Sequence, residues 1–144
     1  MFPFNIRIYG ILINDRGEVL LSDEYRNGVS FTKFPGGGLE FGEGFRETLK
    51  REFREELDLE IEVGELFYFN EFHQPSAFDS RHQVHSFYYL VSSEEWTSIH
   101  TEPHVSAPMH EGEKHRWVEL NRLTSEYVTF PIDKIVVEEL LRRN

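Results

Sequence analysis

Residues 37–59 read GGLEFGEGFRETLKREFREELDL, a glycine-rich turn running into a helix that carries glutamates at 52, 55 and 56. At about 100° per residue, Glu55 and Glu56 project within a roughly 100° arc that includes Glu52. Phe45, Leu49, Phe53 and Leu57 recur every four residues and form an adjoining apolar stripe. The helix, expected over about 44–57, must therefore lay that stripe on a sheet and leave the carboxylates along its border. Glu56 falls angularly between Phe45 and Leu49, so it is expected to be partly buried. A buried carboxylate without a partner is costly, and a bound cation is its natural partner.

The rest of the chain supplies the sheet. Residues 4–13 and 18–22 read as strands joined by a turn at Asn14–Gly17, residues 23–33 as a polar loop, and Pro35-Gly36-Gly37-Gly38 as the strongest turn signal. Residues 60–72 suit one or two strands and residues 82–91 a buried one. Residues 98–114 read as a long polar loop and 115–119 as a short strand around Trp117. Pro131 suits the first turn of a C-terminal helix. Strands, helix, strands, helix predict an α+β sandwich, a mixed sheet between helices, in a single domain spanning residues 1–144. The 144 residues include 13 Phe, six Tyr and two Trp, enough for one sizeable core.

Composition narrows the chemistry. There is no cysteine, which excludes disulfides, thiolate metal sites and a cysteine nucleophile. The formal charge of −11 argues against broad nucleic-acid binding, although bound divalent cations can reverse the local field for a small anion. No apolar run is long enough for a membrane span. With no export signal read at the N-terminus, a cytoplasmic location is expected. His82 and His85, three apart on a strand, point to opposite faces, so no zinc site is expected.

The segment Gly37–Leu59 resembles the signature of the Nudix hydrolase family: Gly, five residues, Glu, seven residues, Arg-Glu, an apolar residue, one residue, Glu-Glu, one residue, Gly, an apolar residue. Every specified position matches except Asp58, which stands where the family has glycine. Asp tolerates the left-handed conformation that ends such a helix, at a cost of about 1 kcal/mol. The resemblance implies metal-dependent hydrolysis of a nucleoside diphosphate linked to another group. It places the metal ligands on Glu52, Glu55, Glu56 and the Gly36 carbonyl, with Glu111 as an added acid and Glu113 as the alternative. It makes Glu52 the first choice of general base and pairs Arg51 with Glu43 to orient the loop on the helix.

Oxygen donors suit Mg²⁺, with Mn²⁺ as an alternative. Arg26, Lys33 and Arg81 are candidate phosphate contacts, and Phe72 is a candidate stacking residue. Pro75 lies sixteen residues after Leu59, as in some family members that cleave ADP-ribose. The expected substrate is a small nucleotide, with ADP-ribose or another nucleotide sugar leading and nucleoside triphosphates (oxidised ones included) or dinucleoside polyphosphates behind. A non-catalytic nucleotide sensor would be marked by eroded glutamates, and an isoprenoid diphosphate isomerase would need a cysteine. The aromatic content is compatible with a homodimer.

Overall fold

The structure is a computed structural model and describes residues 3–102 and 111–144. In chain order it forms β1 (Phe4–Leu12), β2 (Glu18–Arg26), β3 (Val29–Lys33), β4 (Gly36–Gly38), α1 (Phe45–Leu57), β5 (Glu62–Phe69), β6 (Gln83–Ser92), β7 (Gly112–Glu119) and α2 (Pro131–Arg143). The mixed sheet runs β4-β1-β6-β5, with β1 and β6 parallel and the outer pairs antiparallel. A second, antiparallel sheet, β3-β2-β7, stands beside it.

Alternation along the strands sorts side chains into two cores. Ile8, Leu12 and Leu20 face one cluster with Leu49 and Phe53 of α1. Tyr9, Ile11, Val19 and Leu21 face the other, with Ile132, Val136, Val137 and Leu140 of α2. The sheets thus lie between two helices, each attached through its apolar face. No helix among the described residues is long and apolar enough to cross a membrane.

Three local expectations change. Residues 23–33 are a hairpin rather than a loop: β2 continues to Arg26 and turns at Asn27-Gly28, both at positive φ, into β3. Asn-Gly is the strongest short hairpin signal, and it was masked by the polar side chains around it. The Pro-Gly-Gly-Gly turn is also a strand, since Gly36–Gly38 pair with Arg7–Tyr9. Finally, β7 begins at Gly112, three residues before the expected strand, and residues 103–110 of the expected loop lie outside the described residues.

A candidate active site between the glutamate helix and a cavity

Helix α1 is fixed to its loop by one guanidinium. Arg51 Nε donates to Glu43 Oε2 at 2.6 Å and Nη2 to Glu43 Oε1 at 3.1 Å and to the Gly38 carbonyl at 3.1 Å. Its Nη1 lies 3.3 Å from Glu52 Oε2 and 3.2 Å from Glu55 Oε1. The Arg51 hydrogen bonds hold the Glu43 carboxyl down at about 2. At the other end, Asp58 takes the left-handed conformation (φ 50°, ψ 45°), and its N–H reaches the Arg54 and Phe53 carbonyls. The helix ends where the glycine would have ended it.

The three glutamates have different surroundings. The Glu52 side chain is 14% exposed and Glu55 is 59% exposed, held by Arg51. A Cβ on Gly37 would lie 2.3 Å from Glu52 Oε2, so the missing side chain there makes the space in which Glu52 sits. Gly36 is needed for another reason. Its φ is 145°, and a Cβ would meet the Ile8 carbonyl at 2.1 Å.

Glu56 carries the strongest signal. Its Oε2 is buried without a hydrogen-bond partner among the described residues. Burial pushes its carboxyl up to about 8, with Lys33 opposing and the Glu52, Glu24 and Glu113 carboxylates adding to the rise. Such an orphaned oxygen among carboxylates fits a hard divalent cation. Among the described residues, no three His, Asp or Glu side chains converge closely enough to cage an ion.

The second half of the site lies on β1–β3. A cavity of about 280 Å³ is lined by Arg7, Tyr9, Phe31, Phe78, Phe130 and Asp133, among others. The Phe31, Phe78 and Phe130 rings lie 5.1–6.0 Å apart, centroid to centroid. Asp133, 2% exposed, accepts a short hydrogen bond from the Tyr88 hydroxyl. Burial raises its carboxyl to about 6, against the lowering effect of that bond. Arg7 donates through Nε to the Tyr9 hydroxyl at 3.1 Å and adjoins the space above Gly38 through Nη1. Glu52 is among the charges that raise the Arg7 pKa, after Tyr9. Arg7 therefore stands between the cavity and the glutamate helix.

Not every residue singled out in the sequence joins this arrangement. Arg26 and Lys33 line the cavity, as does Pro75, whereas Phe72 and Arg81 do not. Arg81 is 87% exposed and paired with Asp79 two residues away, a local turn contact. Phe72 is displaced from the cavity because its chain turns there, its carbonyl held by Asn70. Arg26 pairs with Glu113 at 2.8 Å and Glu24 at 3.4 Å. Lys33 places Nζ on Glu24 Oε2, the Phe34 carbonyl and the Gly36 carbonyl, so its donors are taken by protein oxygens. Glu111 accepts the Asn27 N–H at 2.7 Å and caps the hairpin turn. Glu113, directly across from Glu24 on β7, is the acid whose charge acts on Glu56.

Sequence reasoning missed Arg7, Glu24, Tyr88 and Asp133. The alternation of β2 carried one usable signal: Ser22 and Glu24 continue the inward-facing positions begun by Leu20, and polar residues there mark a site rather than a loop.

A family model described as NUDIX domain matches residues 3–140. No curated protein matches the chain. Among solved structures, the solution structure of the E. coli ORF135 protein superposes with a TM-score of 0.70 at 22% identity, covering 98% of this chain and 91% of that one. The crystal structure of the MutT protein from Methanosarcina mazei Go1 gives 0.69 at 20% identity, covering 99% and 96%. A crystal structure of a UDP-X diphosphatase gives 0.60 at 15% identity, covering 96% of this chain and 63% of that one.

Proposed function

The chain belongs to the NUDIX domain family, and we propose that it is a single-domain enzyme hydrolysing the diphosphate linkage of a nucleoside diphosphate derivative with Mg²⁺. The observation that carries the proposal is the buried Glu56 Oε2, which has no hydrogen-bond partner among the described residues; burial, with the Glu52, Glu24 and Glu113 charges, raises the pKa of its carboxyl. Glu52, Glu56 and the Gly36 carbonyl are the groups that would hold the cation, with Glu113 closing the set from β7 and the exposed Glu55 reaching it through water. When bound, the cation neutralises diphosphate charge and lowers the pKa of a water.

This chain's own residues do the rest. Glu52 accepts the proton of the attacking water, from a position that Arg51 and the open space at Gly37 define. Arg51 acts as a positioning residue, tying Glu52 to Glu43 and Gly38. Arg7 offers its guanidinium to a phosphate between the cavity and α1, and the Phe31, Phe78 and Phe130 rings receive the nucleoside's apolar faces.

For the group beyond the diphosphate we favour a sugar, as in ADP-ribose. Pro75 stands in the cavity wall on a segment held by the Pro75–Gln83 bridge. A nucleoside triphosphate, oxidised ones included, is the second reading. A cytoplasmic setting suits either substrate. The test is product formation from ADP-ribose, other nucleotide sugars, dinucleoside polyphosphates and ordinary and oxidised nucleoside triphosphates, with Mg²⁺ or Mn²⁺. Cleavage of the nucleotide sugars at the diphosphate supports the proposal, and preferential cleavage of triphosphates selects the second reading. Tight binding of one nucleotide with no cleavage of any would turn the site into a sensor.

A further inference from the structure

Lys33 is the most deeply buried cation near the glutamates, and the proposed reaction gives it no direct task. It is 3% exposed, on β3, immediately before the Phe-Pro-Gly-Gly segment. Its Nζ lies 2.9 Å from Glu24 Oε2, 3.2 Å from the Phe34 carbonyl and 3.3 Å from the Gly36 carbonyl, and 5.3 Å from the Tyr9 ring centroid. Glu24 is held independently by Ser22 Oγ at 2.9 Å and by Arg26 at 3.4 Å. An ammonium with three protein acceptors and an aromatic face is fixed in place. Burial works against its charge, but Glu24, Tyr9 and Glu56 outweigh burial and keep Lys33 protonated. Its own charge in turn acts on Glu56 more than any neighbouring carboxylate does.

We propose that Lys33 is a built-in counter-cation that holds the Gly36 carbonyl, and thereby sets how weakly the site binds a divalent metal. The inference rests on the reading of Glu56 and the Gly36 carbonyl as cation-holding groups. Its physical basis is charge at short range. A divalent cation on the Gly36 carbonyl meets the fixed Lys33 ammonium, 3.3 Å from that oxygen, as a like charge. Removing that charge therefore favours the metal. A site of this kind binds a lone cation weakly and fills more readily when one arrives with the polyanionic substrate. A purely structural lysine predicts the opposite, since losing it would loosen the Gly36 strand and weaken the metal site.

The test is the dissociation constant of Mn²⁺ alone for the substrate-free protein, read by electron paramagnetic resonance of free Mn²⁺ at pH 7.5. Lys33→Met is expected to bind Mn²⁺ about fivefold more tightly or better. Lys33→Arg should stay within about twofold of the parent, because the charge remains. Where Lys33→Met fails to fold, Lys33→Gln, which keeps a donor for the Gly36 carbonyl without the charge, should still bind more tightly than the parent. Equal or weaker binding in the folded variant, with the parent binding normally, overturns the role of Lys33 alone. Failure of the parent to bind Mn²⁺ would remove the reading of the site, and this inference with it.

Discussion

Glu52 and Glu55 lie three residues apart on one helix, yet only Glu52 is enclosed, by Gly37 and Arg51. Glu52→Gln is therefore expected to lower turnover about a hundredfold or more, the scale of losing a positioned general base. Glu55→Gln should cost roughly tenfold or less, its group being mostly in solvent and acting on the reaction through water. Steady-state rates at saturating Mg²⁺ separate the two, and equal losses would contradict the assignment.

Asp133 carries a separate, pH-linked prediction. Its folded pKa of about 6 lies above the ordinary 3.8, so its contribution favours the fold fully below pH 3.8 and is lost as the pH rises through 6. Asp133→Asn, which keeps an acceptor for Tyr88, should be more stable than the parent at pH 7, by about 3 kcal/mol at most. The advantage should shrink towards pH 4. Urea titrations at pH 4, 5.5 and 7 measure it, and a pH-independent difference would refute the buried-carboxyl explanation.

At the scale of elements, the join between β4 and α1 makes two contrasting predictions. A Cβ at Gly37 meets only the flexible end of Glu52, so Gly37→Ala should fold with a near-parental melting temperature and lose activity by displacing that carboxylate. A Cβ at Gly36 meets the β1 backbone at Ile8 and Tyr9, so Gly36→Ala should damage folding itself. Thermal melts read beside activity distinguish the two, and the reverse pattern would mean that the strand is misplaced. The C-terminus of α1 adds a third prediction. Asp58 holds a left-handed φ of 50°, so Asp58→Gly should raise stability by about 1 kcal/mol, a shift of a few degrees in melting temperature, with activity unchanged.

Across the whole molecule, legibility followed sequence separation. The glutamate helix, its end at Asp58 and the Arg51–Glu43 pairing could be read because their parts lie within one short segment of regular periodicity. The layering could be read as well, since Phe45, Leu49 and Phe53 on α1 and Ile132, Val136 and Leu140 on α2 each make one apolar face. The cavity could not. Its wall joins Arg7 on β1, Phe31 on β3, Pro75 and Phe78 beyond β5, and Asp133 on α2, which only tertiary pairing brings together. The β2–β3 hairpin was hidden by its polar residues: Glu24, Thr32 and Lys33 put polar groups where a hydrophobic alternation would have declared a strand. The choice of Glu111 over Glu113 turned on pairing as well, because the register of β7 against β2 sets Glu113 opposite Glu24.

The account stands on Glu56 as the carboxylate that awaits a cation. Its most direct test is Mg²⁺-dependent hydrolysis of the best nucleoside diphosphate substrate by the parent and by Glu56→Gln, with melting temperatures recorded for both. The account predicts that the parent hydrolyses only with the cation, and that the variant, folded and at least as stable without metal, loses nearly all activity. A folded variant that still cleaves with unchanged Mg²⁺ dependence would contradict it.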